Sequence, residues 1–301
     1  MDLHSPTGFI LYLLIFLLGL SVGSFLNVVI YRLPLKDLSL TSPKRSFCPA
    51  CGSGIRWFDN IPLFSWIFLK ARCRDCGQPI SIRYPLVELA TGLLALYFFH
   101  QFGLGSIISF LIYFYFAVCL LAIALIDLDW MVIPTSLMYP TSVLGLICAL
   151  WEPSVTLPGP WLWNLAEPLV GPRGASLAGA LMGLVLGWGA LKLISVSYKL
   201  ARGHEGMGDG DPPLLGMIGV YLGWRALLPV ILASTLIGVA SVGVMMLMAK
   251  SSPKEGWAMK ALPFGPFLVL GAFIYIFFGP QLVAWYFSFL GSSLNRGALR
   301  F

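Results

Sequence analysis

The sequence has little charge. Only 11% of its 301 residues are Asp, Glu, Lys or Arg, against roughly 25% in soluble domains, and 58% are hydrophobic. This balance excludes a single water-soluble core, and it excludes intrinsic disorder, because disordered segments require low hydrophobicity. The mean hydropathy of +0.86 describes a chain whose main solvent is lipid. The sequence therefore predicts an all-α polytopic membrane protein.

Eight hydrophobic segments approach the length of about 20 residues that is needed to cross a bilayer. Their predicted bounds are 8–31, 85–102, 106–126, 131–151, 175–196, 214–224, 227–249 and 262–290. The sixth segment is short for a crossing, so we predict about eight transmembrane helices, with seven as the alternative. The first segment lacks the basic region and small-residue cleavage site of a signal peptide, and we expect it to remain as an anchor.

The basic residues are concentrated in one loop between spans. Segment 32–84 contains nine of the 19 Lys and Arg residues, whereas the connections at 101–105 and 152–174 contain only Arg173. Because basic residues prefer the cytoplasmic side of a membrane, segment 32–84 is predicted to be cytoplasmic and the N-terminus to lie outside. The net charge of +6 is thus explained by topology and does not indicate nucleic-acid binding.

Four of the six cysteines lie in this cytoplasmic segment as Cys48-Pro-Ala-Cys51 and Cys73-Arg-Asp-Cys76. The spacing lets two thiolates of each pair turn toward one ion, and two pairs complete the four-sulfur shell that structural zinc prefers. Two disulfides or redox chemistry are the alternative, but a cytoplasmic loop is in a reducing compartment. We therefore predict a small zinc-knuckle domain in which the metal is structural, since four sulfur ligands leave no open coordination position.

The predicted domains follow from these features. They are a first transmembrane helix at 1–31, the cysteine-rich zinc-binding domain at 32–84, and a multi-span membrane domain at 85–301.

Carboxylates are costly in hydrocarbon, so those that lie in or beside spans are informative. On the predicted cytoplasmic side they are Glu88, Asp127, Asp129, Asp209 and Asp211. Two carboxylates that lie close together cannot both ionise easily, so one keeps a proton while the other activates water, as in aspartic proteases. The alternative for Asp127 and Asp129 is that they only end a helix at the membrane surface.

Glycine alternates with other residues in segment 206–211, Gly-Met-Gly-Asp-Gly-Asp. The missing side chains allow a substrate strand or a second helix to approach the two carboxylates closely. A phosphate-binding loop is excluded, because Pro212-Pro213 follows instead of Lys and Ser or Thr. A flexible connector remains the alternative interpretation of this segment.

Several ordered motifs together resemble the bacterial type IV prepilin peptidases, also called prepilin leader peptidase/N-methyltransferases, of the GxGD aspartic protease group. The resemblance covers nearly the whole chain. It consists of Gly23–Pro34, the two cysteine pairs, Asp59–Pro62, Ser81–Glu88, Ile126-Asp127 leading to Ile133-Pro134, Gly206–Asp211, and Pro263–Pro266.

The resemblance implies a multi-pass protein of the bacterial inner membrane that acts at the cytoplasmic face. Its substrates would be type IV prepilins or type II secretion pseudopilins, whose basic leaders it removes, and it would then methylate the new N-terminus with S-adenosylmethionine. The catalytic pair of the family falls on Asp127 and Asp211, with Asp129 and Asp209 in supporting roles at most. The residues that bind S-adenosylmethionine are not indicated. Membrane lipid is an expected partner.

The sequence departs from the family pattern at two places. Pro212-Pro213 replaces the apolar residue and Lys that usually follow the catalytic Asp, and Thr135 replaces an Asp or Asn. The first change removes a cation beside Asp211, and the two prolines predict an extended entry into the helix that follows.

Two other functions fit parts of the sequence. A transporter would use Glu88, Asp127 and Asp211 to bind cations or relay protons, but it predicts carboxylates near the bilayer midplane and repeated halves. A non-catalytic assembly component would use the zinc loop as a docking module. Cleavage of a co-expressed prepilin would separate both from the peptidase.

Overall fold

The computed structural model describes residues 6–35, 39–41, 45–103, 105–151, 160–204, 207–248 and 263–298. Throughout these ranges the regular elements are helical and no strand forms, apart from two isolated β-bridges. The predicted all-α class is confirmed. The chain divides into two compact units, Met1–Leu137 and Met138–Phe301. The predicted boundaries at 31/32 and 84/85 both fall inside the first unit.

The first unit contains three long helices and a small cysteine-bearing segment. The long helices are α1 (Pro6–Arg32), α3 (Arg83–Phe98) and α4 (Ile107–Trp130), and the short helix α2 (Phe64–Phe68) lies in the cysteine-bearing segment. A 3₁₀ turn forms at Trp57–Asn60 and a π-helical turn at Phe99–Gly103. Helices α1 and α3 pack closely, because a Cβ atom on Gly23 would lie 2.7 Å from the Cα of Glu88. This contact places Glu88 against α1, near the cysteine-bearing segment.

The remaining helices belong mainly to the second unit. They are α5 (Thr135–Trp151), α6 (Pro160–Arg202), α7 (Asp211–Leu222), α8 (Trp224–Met248) and α9 (Gly265–Ala298). Helix α6 is kinked at Gly171, where φ is 72° and ψ is 174°. Helix α7 is almost entirely buried, and the hydroxyl of Tyr221 donates a hydrogen bond to the backbone oxygen of Thr141 at 2.9 Å. Asp211 is therefore carried by the most enclosed helix of this unit.

Within the described residues, five helical stretches are long and apolar enough to cross a membrane. They are Pro6–Arg32, Arg83–Gly103, Ile107–Trp130, Pro168–Arg202 and Trp224–Leu247. Thr135–Trp151 and Gly265–Gly279 are shorter apolar helices, and α7 has only 12 residues. The predicted multi-span character is confirmed, whereas the count of eight crossings stays a prediction.

One helix end differs from the sequence prediction. The third span was expected to end at residue 126, but α4 continues to Trp130 and includes both Asp127 and Asp129. The helix ends where Met131 adopts a left-handed conformation, φ 53° and ψ 36°, and donates its N–H to the Asp127 carbonyl at 2.9 Å. The predicted span ended before Asp127 because a hydropathy window ends at the first charged residue. The backbone hydrogen bonds of the helix do not depend on side-chain charge, so α4 continues to Trp130.

A close helix crossing supports α7. A Cβ atom on Gly183 of α6 would lie 2.0 Å from the carbonyl oxygen of Gly219, and one on Gly219 would lie 2.2 Å from that of Gly183. Gly219→Ala is therefore expected to force α7 away from α6 and to cost about 1–3 kcal/mol, as overpacking does. Thermal unfolding of the protein in detergent measures the effect. Gly189→Ala is the matched control, because a Cβ there meets no atom within 4 Å; equal melting temperatures for the two variants would contradict the prediction.

Candidate active site and metal centre

Two neighbouring aspartates on α4 have different environments. Asp127 is 4% exposed, whereas Asp129 lies at the surface and forms an ion pair with Arg83 at the start of α3. Arg83 also donates to the backbone oxygen of Leu125 at 3.3 Å. The ion pair gives Asp129 a structural role in joining α3 to α4. Of the two aspartates on α4, Asp127 is the one that is enclosed by protein.

The aspartates of the glycine-rich segment differ in the same way. Asp211 is 4% exposed and begins α7, where a negative charge interacts favourably with the positive end of the helix dipole. The side chain of Asp209 is 79% exposed and pairs with Lys192 of α6 at 3.2 Å. Gly208 lies beside the buried carboxylate, since a Cβ there would be 3.4 Å from Oδ2 of Asp211. Gly206 lies outside the described residues.

The prediction of an extended entry into α7 is wrong. Gly210 is in the right-handed helical region, φ −82° and ψ −22°, and Asp211 is already helical. Pro212 and Pro213 occupy the first turn, where an N–H has no partner within the helix, so that losing it costs little. The two prolines are therefore compatible with the first turn of this helix, which begins at Asp211.

Asp127 lies in the first unit and Asp211 in the second. Each is buried, and each has an exposed, ion-paired aspartate two residues away. Their action as a pair remains a prediction.

The four cysteines of segment 32–84 come together as predicted. Their sulfur atoms all lie within 4.8 Å of one another, and the Sγ atoms of Cys48 and Cys76 are 3.9 Å apart. A tetrahedral site with Zn–S bonds of about 2.3 Å requires sulfur atoms about 3.8 Å apart. The donor set and its spacing therefore fit a structural zinc ion, which these four residues would hold.

Both cysteine knuckles use the same backbone turn. The Cys48 carbonyl accepts the N–H of Gly52 at 2.8 Å, and the Cys73 carbonyl accepts that of Gly77 at 3.0 Å. Gly52 and Gly77 have φ values of 73° and 71°, a left-handed conformation that glycine adopts without strain. The turn that positions the sulfur atoms therefore requires the glycine after each cysteine pair.

The thiols of the cluster have divergent proton affinities. Hydrogen bonds from the side chain and backbone of Ser53 lower the pKa of Cys51 to about 7, and backbone hydrogen bonds from Cys76 and Asp75 lower the pKa of Cys73. The pKa of Cys76 is raised to about 12, because burial and the neighbouring thiols outweigh the backbone hydrogen bond from Gln78. Zinc binds cysteines as thiolates. A divalent cation would offset the repulsion between four neighbouring thiolates.

A bidentate ion pair fixes the second knuckle to the 3₁₀ turn. Arg74 donates through Nε to Oδ2 of Asp59 at 2.8 Å and through a guanidinium N–H to Oδ1 at 2.6 Å. Asp59 is 8% exposed at its side chain. The positive-inside rule accounts for the basic residues of this loop, but no local pattern in the sequence indicates that Arg74 and Asp59 pair.

The hydrogen bond from Arg74 lowers the pKa of Asp59. We expect Asp59→Asn to unfold at a lower temperature than wild type at pH 7. Because the folded-state pKa is depressed, the contribution is complete above the ordinary Asp pKa of about 3.9 and is lost as the pH falls through the lowered value. The difference between the melting temperatures of wild type and variant, measured across this range, should therefore shrink in acid. Asp75→Asn, an exposed neighbour, is the control, and a difference that stays constant in acid would contradict the prediction.

Two family models match successive parts of the chain. The Bacterial Peptidase A24 N-terminal domain matches residues 17–102, which include the four cysteines and Glu88. The type IV leader peptidase family matches residues 114–243, which include Asp127 and Asp211. The chain belongs to the type IV leader peptidase family. The membership predicted from the motifs is thereby confirmed.

Members of the type IV leader peptidase family align with nearly the whole chain. Proteins named prepilin leader peptidase/N-methyltransferase are similar to it in Aeromonas hydrophila, at 35% identity over 95% of this chain and 97% of the relative. The relative in Stutzerimonas stutzeri is 36% identical over 95% of this chain and 96% of the relative. The relative in Pseudomonas aeruginosa is 37% identical over 95% of this chain and 96% of the relative. No solved structure matches the chain.

Proposed function

We propose that this protein is an aspartic endopeptidase of the bacterial inner membrane. It removes the basic leader of type IV prepilins or type II secretion pseudopilins and then methylates the new N-terminus. The observation that carries the proposal is the burial of Asp127 and Asp211, at 4% exposure each, within a chain that aligns end to end with prepilin leader peptidase/N-methyltransferases.

Asp127 and Asp211 would share one proton. Two adjacent carboxylates have separated proton affinities, so the ionised member can take a proton from water while the protonated member donates to the departing amine. Burial excludes bulk water and strengthens these charge interactions. Asp129 and Asp209 are less suited to this chemistry, because each is exposed and already paired with a cation.

The active site would face the cytoplasm. The basic loop at 32–84 supports that orientation by the positive-inside rule. Asp127 lies in the last turn of α4, the end of that helix which this topology puts on the cytoplasmic side. Prepilin leaders are basic and the segment that follows them is apolar, so the bond to be cut lies at the membrane surface.

The zinc ion would be structural. Cys48, Cys51, Cys73 and Cys76 close the coordination shell and leave no position for water or substrate. Their role is to fold the loop that connects α1 and α3.

S-adenosylmethionine would supply the methyl group, as the names of the relatives support. The first unit contains a cavity of about 400 Å³ bordered by Phe47, Trp66 and Tyr84. Small-molecule sites measure roughly 300–1,000 Å³, so the cavity has the volume of a small-molecule site.

Co-expression with a prepilin tests both reactions. The intact mass of the mature product should show loss of the leader and the gain of one methyl group. Cleavage without methylation would restrict the function to the peptidase. An intact prepilin beside well-folded protein, for several prepilins, would overturn the proposal.

A further inference from the structure

A cavity in the first unit lies between the C-terminal half of α1, the start of α3 and the cysteine-bearing segment. Its volume is about 400 Å³, and aromatic rings form much of its wall: Tyr31, Phe47, Trp66 and Tyr84. The predicted topology places it at the cytoplasmic membrane surface, where α1 ends. A peptide segment emerging from the bilayer could enter it.

Glu88 is one of two enclosed carboxylates that line this cavity; the other, Asp59, is paired with Arg74. Glu88 is 9% exposed, and its Oε2 atom accepts the backbone N–H of Leu63 at 2.8 Å. Ser24 lines the same cavity. In the part of the chain that the structure describes, no Lys, Arg or His forms an ion pair with Glu88. A buried carboxylate without a cation is costly, and a cationic ligand would offset that cost.

The basic residues that line the same cavity are engaged elsewhere. Arg32 donates to backbone carbonyl groups of the loop that follows it. Arg74 is held by Asp59, and Arg56 lies over the ring of Phe58. The cavity therefore contains a carboxyl group that none of these three arginines pairs with.

The wall beside Glu88 is a strained turn. Leu63 has φ 62° and ψ −52°, and the N–H of Phe64 bonds to the Pro62 carbonyl at 2.7 Å. This is a γ-turn of the rare, strained form, which costs on the order of 1–3 kcal/mol. The hydrogen bond to Glu88 orients the N–H of this turn. Backbone strain of this kind is concentrated at ligand and active sites.

We propose that Glu88 binds the ammonium group of the newly exposed substrate N-terminus and accepts one proton from it, with the first side chains of the mature substrate against the aromatic wall. The neutral amine then forms the N–C bond as the S–CH₃ bond of the methyl donor breaks and S-adenosylhomocysteine leaves. The inference rests on the proposed function, in which that amine is the methyl acceptor. A carboxylate is the natural partner of a primary ammonium group, and a charge-assisted hydrogen bond is stronger than a neutral one. The cation of the methyl donor is the alternative source of positive charge.

Peptide binding tests the assignment directly. The full-length protein in detergent is titrated with a peptide that has the N-terminal sequence of a mature pilin, once with a free amine and once acetylated. Wild type should bind the free amine about tenfold more tightly, the effect of one charge-assisted hydrogen bond. Glu88→Gln should lose this preference, because Gln still accepts the Leu63 N–H but carries no charge. Asp209→Asn, which removes an exposed carboxylate outside the cavity, should keep it.

Two further readouts separate the possible failures. Zinc content and prepilin cleavage report whether Glu88→Gln is folded, and binding of S-adenosylhomocysteine and S-adenosylmethionine reports the donor. Equal affinity of wild type for both peptides, or an unchanged preference in Glu88→Gln, would overturn the inference. Weaker S-adenosylmethionine binding with an intact peptide preference would also overturn it and assign the carboxylate to the donor. Failure of the proposed function itself would appear separately, as wild type that leaves prepilin uncut.

Discussion

Asp127→Asn and Asp211→Asn are each expected to lower the rate of leader cleavage by about 10²–10⁴-fold, the range that general acid–base groups contribute. Asn keeps the size and one hydrogen-bonding oxygen of each side chain but can neither hold nor release the shared proton. The rate is measured on a purified prepilin, by following leader release with the full-length protein in detergent. Because the two groups act as a unit, the double variant should be no slower than either single variant.

Asp129→Asn and Asp209→Asn are the matched controls. Each removes a carboxylate two residues away from a proposed catalytic one, on an exposed side chain. Surface ion pairs contribute about 0–1 kcal/mol, so both controls should cleave within a few-fold of wild type. The prediction fails if Asp129 or Asp209 proves as important as its buried neighbour, or if either buried aspartate can be replaced without loss.

The second large effect concerns the metal. Cys48→Ser is expected to abolish zinc binding and to unfold the segment between α1 and α3, because structural zinc sites contribute about 10–16 kcal/mol to the folding of small domains. Metal analysis of the purified protein should fall from about one ion per chain, as a single four-sulfur site holds, to a background level. Limited proteolysis should then cut within the cysteine-bearing segment.

Cys119→Ser and Cys148→Ser serve as controls, since neither cysteine belongs to the four-sulfur group. Both variants should retain the metal and the protease resistance of wild type. Zinc bound at full stoichiometry by Cys48→Ser would show that the four sulfur atoms do not form the site. The cavity wall beside Glu88 comes from the same segment, so methylation should be lost together with the metal.

The cysteine cluster could be predicted because its information is local. Two residues between paired cysteines and a glycine after each pair already specify a turn, and the structure contains both turns with φ near 70° at Gly52 and Gly77. The helical spans could be predicted for a similar reason, since hydrophobicity over about 20 residues is a strong signal. Helix α7 has the weakest signal, because its 12 residues are fewer than the about 20 that a crossing needs.

Features that depend on contacts between distant residues could not be read from the sequence. The pairing of Asp59 with Arg74 joins residues 15 apart, and the bond from Leu63 to Glu88 joins residues 25 apart. No periodic pattern encodes either contact. Lys192 was not among the predicted site residues, yet it pairs with Asp209 across the turn between α6 and α7.

The division between buried and exposed aspartates also required the structure. Sequence position makes Asp127 equivalent to Asp129, and Asp211 equivalent to Asp209, because each pair stands at the same helix end. Asp127 and Asp129 both lie in α4, where residues two apart point to different faces. Asp209 precedes α7, whereas Asp211 is its first residue. The family motifs selected Asp127 and Asp211, and these are the two that are buried.

The account depends on Asp127 and Asp211 forming one site. Cross-linking tests this directly: Asp127→Cys and Asp211→Cys are combined in a chain in which Cys119 and Cys148 are replaced by Ser, and the membranes are treated with a short bifunctional thiol reagent. Carboxylates that share a proton lie about 3 Å apart, so the account predicts a cross-linked peptide pair in the full-length protein. If each cysteine reacts with a monofunctional reagent but the pair gives no cross-link, the two aspartates do not share a site and the account is contradicted.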